Sequence, residues 1–271
     1  MMLKKILNKI RNLFWKIKYS FLNQERYKTV TILEKKIKFF IPNQLIQWRV
    51  DTFFTKEPET LEWIDGFQKK EGLIFWDIGA NIGLYSIYCA LKNKNSTIIS
   101  FEPSSSNLRT LSRNIFINNF TNNIKIFTLP LSDKENKFCT MSEVDFIEGG
   151  ALSAFGVNYD FQGKEISTKM KYQLFGTTIN YILKNNILKE PDYIKIDVDG
   201  IEHLILRGAG KYLKSEKLKS VLVEINEDFT DQYKNVLNIM RENDFKLLHK
   251  KNNESLKNTK YSNTYNYIFI K

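Results

Sequence analysis

LIFWDIGANIG, at residues 73–83, is an apolar run that ends in Asp77 and continues into a turn with two glycines. The run predicts a buried strand, and Gly79 and Gly83 allow a tight turn into a following helix. The N-terminus of that helix offers free backbone N–H groups to a ligand. The turn differs from the dinucleotide pattern GxGxxG, because Asn81 stands in place of its middle glycine. An acid at the strand end disfavours a pyrophosphate and suits a cationic ligand group, such as an ammonium.

Apolar runs and helical patterns alternate from this stretch to the C-terminus. Seven strands are expected, at residues 73–79, 97–102, 124–129, 192–198, 220–225, 245–249 and 266–270. The alternation predicts an α/β fold with a mainly parallel sheet and helices on both faces. No helix separates the last two strands, so an antiparallel edge strand is expected. Ligands bind beyond the carboxyl ends of parallel strands, and the residues there are therefore the site candidates.

The sequence divides into an N-terminal extension at 1–70 and a main domain at 71–271. The extension is expected to contain a basic amphipathic helix, a hairpin at 27–41 and a short helix at 58–69. A β-leaning insertion interrupts the main domain at about 133–176. Its aromatic side chains either stack against a sugar ring or fill a small core of the insertion itself.

The chain has 41 basic and 30 acidic residues, and the excess of positive charge is concentrated at the N-terminus. Residues 1–22 contain six Lys or Arg and no acid, while apolar residues recur at helical spacing. This segment is predicted to lie on an anionic membrane surface, or to dock on its own domain or on a second copy in a homo-oligomer. No run of 18 apolar residues exists, and lysines interrupt any signal-peptide core. The expected location is cytoplasmic, with peripheral contact at the inner membrane face.

Polar residues follow the second and third predicted strands. Glu102 lies about 25 residues after Asp77, where a carboxylate can accept both hydroxyls of a ribose. Ser132 and Asp133 come after the third strand and either hydrogen-bond an adenine edge or form a plain turn. Together with the first loop, these positions indicate a nucleoside-bearing ligand.

The ordered motifs DIGANIG (77–83), FEP (101–103) and IKIDVDGIE (194–202) resemble the FkbM-type methyltransferases, a class I family dependent on S-adenosyl-L-methionine. Asp199 departs from that family's usual KIDVEGxE pattern, in which a Glu takes its place. The resemblance implies a Rossmann-like sheet and O-methyl transfer to a hydroxyl of a sugar, glycan or glycosylated metabolite. It would put Asp77, Gly79, Asn81 and Gly83 around the methionine moiety, Glu102 at the ribose, and Ser132 and Asp133 near the adenine.

Asp197 is the predicted catalytic residue, either as the base or as a carboxylate that orients the acceptor. Glu202 is expected to support it or to bind substrate. Lys195 lies on the same strand face and either lowers the pKa of a neighbouring acid or forms a buried ion pair. A different use of the acids is a Mg²⁺ site formed by Asp197, Glu224 and Asn226. The Asp-Asn pairing of metal-dependent relatives of this fold is replaced here by Glu-Ile-Asn, so no metal is expected.

Two other functions stay open at this point. Net charge favours a nucleic-acid methyltransferase, but half of that charge is terminal and no NPP[YF] motif occurs, so nucleic acid is not the expected partner. A membrane-surface module without catalysis is the second alternative, and the intact donor loop argues against it. His203, next to Glu202, is expected to pack rather than to act as a base, because consecutive helical residues point about 100° apart.

Overall fold

The computed structural model describes residues 2–22, 25–252 and 258–271. The strands are β1 (Tyr27–Ile32), β2 (Lys35–Phe40), β3 (Ile74–Ile78), β4 (Thr97–Phe101), β5 (Ile124–Phe127), β6 (Lys137–Glu143), β7 (Ser153–Phe155), β8 (Met170–Gly176), β9 (Tyr193–Ile196), β10 (Ser220–Asn226), β11 (Lys246–Lys251) and β12 (Thr264–Ile270). The helices are α1 (Met2–Leu22), α2 (Gln44–Asp51), α3 (Phe53–Lys56), α4 (Pro58–Asp65), α5 (Leu84–Lys92), α6 (Ser105–Ile117), α7 (Ile179–Lys184), α8 (Glu202–Ala209) and α9 (Thr230–Glu242).

The centre of the molecule is a seven-stranded sheet in the order β11-β12-β10-β9-β3-β4-β5. The five strands from β10 to β5 are parallel, whereas β12 is antiparallel to both β10 and β11. The predicted Rossmann-like α/β fold with an antiparallel edge is therefore confirmed. The chain runs from β3 outward to β5 and later returns to β9 on the other side of β3. This reversal makes the carboxyl ends of β3 and β9 the expected ligand site.

The N-terminal extension packs directly on one face of this sheet. The predicted hairpin is present as β1 and β2, and the predicted short helix is α4. Helices α2 and α3 were not predicted; Asn43 caps α2 by accepting a hydrogen bond from the Ile46 N–H. Trp63 of α4 packs edge-on to Phe75 of β3, and its indole N–H donates to Ser220 Oγ at 2.9 Å. The extension and the sheet thus share one hydrophobic core.

The insertion forms a separate antiparallel sheet in the order β7-β6-β8. Its aromatic side chains divide between two environments: Phe155 and Phe161 are buried, whereas Phe138 and Phe146 are exposed. A bridge between Leu131 and Thr177 closes the insertion at its base. The insertion therefore stands above the carboxyl ends of the central strands.

Helix α1 presents an exposed apolar stripe. The apolar side chains described as exposed on it include Ile6, Leu7, Ile10, Leu13 and Phe14. Among the described residues, no helix has the length and apolarity needed to cross a bilayer.

Candidate active site

The loop after β3 passes so close to β9 that only glycine fits at its first turn. Gly79 has φ +84°, and a Cβ there would lie 1.8 Å from the Asp197 carbonyl oxygen. Gly83, with φ +87°, is the N-cap of α5, where a Cβ would meet Leu111 at 2.6 Å. Gly79 therefore lets the loop contact the end of β9, and Gly83 lets the N-terminus of α5 pack closely against Leu111 of α6.

Asp77 lies beneath this loop. The carboxylate accepts a hydrogen bond of 2.6 Å from Ser86 Oγ, and its other oxygen has no hydrogen-bond partner within the described part of the chain. Lys195 is its register partner on β9. Burial raises the pKa of Asp77, against the opposing charge of Lys195. Asp77 does not line the cavity above β3 and β4, and its contacts are with Ser86 of α5 and Lys195 of β9.

A cavity of about 80 Å³ opens above β3 and β4. Gly79, Asn81 and Glu102 line it, and apolar walls come from Leu129 to Leu131 and from Ile201 and Ile205. Glu102 accepts hydrogen bonds of 2.8 Å from the backbone N–H groups of Asn81 and Ser104. Burial raises the pKa of Glu102 to about 8.

Ser132 and Asp133 do not line this cavity, although they were predicted near its adenine end. The chain turns away after Leu131: the carbonyl of Ser132 packs where a Cβ of Gly208 would be 2.1 Å away. Asp133 pairs with Arg207 at 3.3 Å. Gly83 also stands outside the lining, so Gly79, Asn81 and Glu102 are the predicted cofactor residues that the structure brings together.

A buried ion pair marks the end of β9. Lys195 is 1% exposed, and its Nζ donates to Asp197 Oδ2 at 2.6 Å while lying 5.1 Å above the ring of Tyr85. Burial acts to lower the pKa of Lys195, but the charges of Asp197, Asp77 and Glu57 outweigh it and raise the pKa. Burial likewise acts to raise the pKa of Asp197, and Lys195 and Lys56 hold it below its ordinary value.

Glu57 is a site residue that the sequence analysis missed. It lies between α3 and α4, yet carboxylate oxygens of Glu57, Asp197 and Glu224 are all within 4.8 Å of one another. Lys56 pairs with Glu57, and the Tyr85 hydroxyl donates to it at 2.7 Å. Burial and the charges of Asp197 and Glu57 raise the pKa of Glu224 far above its ordinary value. Of the three carboxyl groups, Glu224 is the one whose pKa is raised, whereas, against the effect of burial, the pKa values of Glu57 and Asp197 are lowered by the neighbouring ammonium groups.

The predicted magnesium set is only partly assembled. Asp197 and Glu224 come together, but Asn226 has its side-chain oxygen engaged by the Asp228 N–H at 3.0 Å. Glu57 takes the third position of the cluster. Because the Lys56 and Lys195 ammonium groups already pair with Glu57 and Asp197, two of the three carboxylates have a cation beside them.

The carboxylates of Glu202 and Asp199 accept hydrogen bonds from backbone N–H groups of neighbouring loops. Glu202 Oε1 accepts the N–H groups of Val198 and Gly200 at 3.0 and 3.2 Å, which fixes the loop after β9. Burial raises the pKa of Glu202 to about 7. Asp199, with φ +61°, accepts the Leu152 N–H at 2.7 Å, and burial raises its pKa to about 6. Glu202 thus fixes the loop after β9, and Asp199 connects that loop to the insertion.

His203 is buried against the edge of Phe229, with ring centroids 6.1 Å apart, and does not line either cavity. Burial lowers its pKa to about 4, and the neighbouring Arg207 acts in the same direction. A histidine in this setting is neutral at physiological pH and packs as an apolar ring.

A second, larger cavity of about 370 Å³ adjoins the first. The extension, the insertion and the β12 edge all contribute to its walls. Its lining shares six residues with that of the first cavity: Gly79, Asn81, Gly150, Ala151, Asp197 and Asp199. Asp197 therefore stands at the junction of the smaller and the larger cavity. This arrangement suits the transfer of a group between two ligands.

Comparison with known proteins agrees with this geometry. The family model of the methyltransferase FkbM domain matches residues 77–247. Methyltransferase sdnD of Sordaria araneosa is 28% identical, with 55% of this chain and 64% of that protein covered. Hexuronic acid methyltransferase AglP of Haloferax volcanii is 23% identical, with 59% and 58% covered. The chain thus spans less than two thirds of the length of these curated relatives.

Solved structures show similarity of fold. A protein of Streptococcus mutans, itself proposed to be a SAM-dependent methyltransferase, superposes with a TM-score of 0.52 at 10% sequence identity. The match covers 92% of this chain and 57% of that one. At 10% identity, the similarity concerns the arrangement of strands and helices alone.

Proposed function

This chain belongs to the FkbM methyltransferase family, and from that premise we propose that it transfers a methyl group from S-adenosylmethionine to a hydroxyl of a sugar or glycan. Asp197 at the junction of the two cavities is the observation that carries the proposal. The smaller cavity has a carboxylate that can accept the ribose hydroxyls of an adenosine, and the larger one has room for a hydroxylated acceptor. Glu102, Asn81 and Gly79 are the residues that would hold the donor.

The donor fits the lining of the smaller cavity. Asn81 has a side-chain oxygen that is buried and has no partner among the described residues, and Gly79 lines the same cavity. Ribose hydroxyls can donate to Glu102, a buried carboxyl group whose pKa is raised by that burial. When bound, S-adenosylmethionine supplies a methyl carbon that the acceptor oxygen attacks as the C–S bond breaks and its electron pair stays on sulfur.

Asp197 takes the hydroxyl proton in this proposal. Lys195 and Lys56 keep it ionised, so it is available as a base across the neutral range. A carboxylate with a low pKa is a weak base, but the acceptor proton leaves only as the new bond forms, which lessens the strength required. The principal work of the site is to align the acceptor oxygen behind the methyl carbon.

Calorimetric titration with S-adenosylmethionine, followed by transfer of a labelled methyl group to simple hexosides, tests the proposal. Asp197→Asn is expected to retain donor binding and to lower kcat about 10²- to 10⁴-fold. His203→Phe is the control variant and is expected to keep the activity. No donor binding by the folded wild-type protein would contradict the proposal, as would an Asp197→Asn variant of unchanged kcat.

We also propose that α1 brings the enzyme to an anionic membrane surface. Residues 1–22 contain six basic residues and no acid, and the apolar stripe of α1 is exposed. Apolar side chains that enter the headgroup boundary and lysines that meet anionic lipid would act together. A glycan acceptor carried on a membrane lipid would then be near the active site.

Two variants of equal charge change test the membrane proposal. Ile10→Asp lies within the apolar stripe, and Asn12→Asp lies on the opposite face of α1. Ile10→Asp is expected to abolish cosedimentation with vesicles that contain phosphatidylserine, while Asn12→Asp weakens it only slightly. Equal losses of vesicle binding in the two variants, or binding of the wild-type protein to neutral vesicles alone, would contradict the membrane proposal. Self-association that Ile10→Asp disrupts would indicate docking on a second copy instead.

A further inference from the structure

One wall of the larger cavity is a strip of polar side chains on β12. Thr264 and Asn266 both line the cavity, and they are two residues apart on one face of the strand. Asn266 is the register partner of Glu224, and Thr264 is the register partner of Asn226. Because the Glu224 carboxylate lies within 4.8 Å of that of Asp197, the strip begins beside the catalytic centre and leads away from it.

The strip contains hydrogen-bonding atoms that are buried and unused. Thr264 is 7% exposed and Asn266 is 4% exposed, yet Thr264 Oγ1 and Asn266 Oδ1 have no hydrogen-bond partner among the residues the structure describes. Buried polar atoms in folded proteins are nearly always paired, and each exception needs an explanation. Two exceptions on one strand face, both lining the same cavity, indicate that a ligand supplies the missing partners.

The rest of the wall specifies the chemistry of that ligand. Asn266 Nδ2 donates to Glu59 at 2.8 Å, which fixes the amide and leaves Oδ1 as a hydrogen-bond acceptor. Thr264 Oγ1 can both donate and accept. The rings of Phe161 and Tyr261 stack at 5.1 Å in the same cavity and offer an apolar face. Neighbouring hydroxyls on a ring with an apolar face fit this combination.

We propose that Thr264 and Asn266 form an acceptor subsite that binds the hydroxyls flanking the one to be methylated, and that the acceptor is a pyranose ring. The inference rests on the proposed function and specifies its acceptor. An acceptor with a lone hydroxyl would leave both atoms unpaired and would be a poor substrate. The subsite is thus the part of the cavity that selects polyhydroxylated rings.

Thr264→Val provides the test, because it removes the hydroxyl while keeping the shape of the side chain. Methyl glycosides of glucose, galactose, mannose and glucuronic acid are the probes, measured by saturation-transfer NMR and by labelled methyl transfer. We expect KM for the best probe to rise about 5- to 10-fold with little change in kcat, and donor binding to stay the same. Thr264→Ser, which restores a hydroxyl, should recover most of the wild-type KM.

A matched control separates binding from stability. Thr110 on α6 is also a buried threonine whose hydroxyl lacks a partner in the described residues, but it lines neither cavity. Both Thr110→Val and Thr264→Val should leave the unfolding temperature unchanged or higher, since each removes an unpaired buried group. Only Thr264→Val should raise KM.

The outcomes distinguish this inference from the proposed function. An unchanged KM in Thr264→Val, in an enzyme that methylates a hexoside, overturns the subsite and leaves the function standing. Donor binding without NMR contact to any of the four glycosides overturns the pyranose acceptor alone. Failure of the wild-type protein to bind S-adenosylmethionine overturns both.

Discussion

Single buried carboxyl groups control how this protein responds to pH. Burial raises the pKa of Glu202 to about 7 from an ordinary value of 4.5, so the folded protein holds a proton there that the unfolded chain has released. The stability that this proton contributes is fully present below about pH 4.5 and is lost as pH rises through 7. Asp199 and Glu102, with raised pKa values of about 6 and 8, act in the same direction.

We therefore expect the free energy of unfolding to decrease between pH 4.5 and 8, and Glu202→Gln to make that decrease shallower between pH 4.5 and 7. His203 acts in the opposite sense, because its lowered pKa removes stability as pH falls from 6.5 towards 4. Denaturant titrations at several pH values measure the slope. A Glu202→Gln slope equal to that of the wild type would contradict the prediction.

The sequence predicted the site residues that lie at the ends of strands. It did not predict Glu57, which comes to the site from the N-terminal extension. Asp197 and Glu102 were predictable, because apolar runs mark the strands and the sheet topology brings their carboxyl ends together. Glu57 has no such signal: it precedes a short helix in the extension, and only packing of α4 on the sheet brings it to Asp197. The role of Glu202 as a backbone acceptor also depends on loop geometry that residue type does not reveal.

At the scale of elements, the close contact between the β3 loop and β9 is the feature most sensitive to substitution. A Cβ at position 79 would overlap the Asp197 carbonyl, and φ +84° is itself unfavourable for alanine. Gly72 also has a positive φ, of +70°, but a Cβ at that position would meet no other atom within 4 Å. Substitution of Gly72 by alanine therefore measures backbone strain alone, whereas the same substitution of Gly79 adds steric overlap.

We expect Gly72→Ala to cost about 1–2 kcal/mol, the cost of the left-handed conformation alone. Gly79→Ala should cost considerably more and should abolish donor binding, because β9 and its Asp197 must move. Denaturant unfolding and calorimetric titration of both variants measure this. Similar losses in the two variants would contradict the overlap.

Helices α2 and α3 escaped prediction for a physical reason. Both are short, at eight and four residues, and they carry exposed aromatics such as Trp48 and Phe54 that obscure an amphipathic pattern. Their buried side chains Ile46, Val50 and Phe53 belong to the hydrophobic cluster shared with α5 and β3, and this tertiary packing is not visible in local sequence. The apolar runs of the central strands are visible in local sequence, and their order along the chain was predicted correctly.

For the molecule as a whole, the extension behaves as part of the core. Side chains such as Ile32, Phe39, Ile46, Phe53 and Ile64 are almost fully buried in the same cluster as β3. Each contributes about 1.5–3 kcal/mol by burial, so their combined loss is comparable to the total stability of about 5–15 kcal/mol that is usual for a domain.

Residues 71–271 alone are therefore expected not to fold, whereas residues 25–271 should unfold in one transition near that of the full chain. Circular dichroism during heating measures both, with the full chain as reference. A cooperative transition in the 71–271 fragment would show that the main domain is independent of the extension.

The segment Glu148–Gly150 is held almost entirely through its backbone. Its carbonyls accept hydrogen bonds from Asn43, Arg49, Asn81 and Asn107, and the Gly149 N–H donates to Asn107. The adjoining Ala151 and Leu152 line the larger cavity but take no part in these side-chain anchors. Mutation can thus alter the cavity wall without loosening its support, which makes the ligand preference of this cavity evolvable: drift at a few positions can reshape it over an unchanged framework.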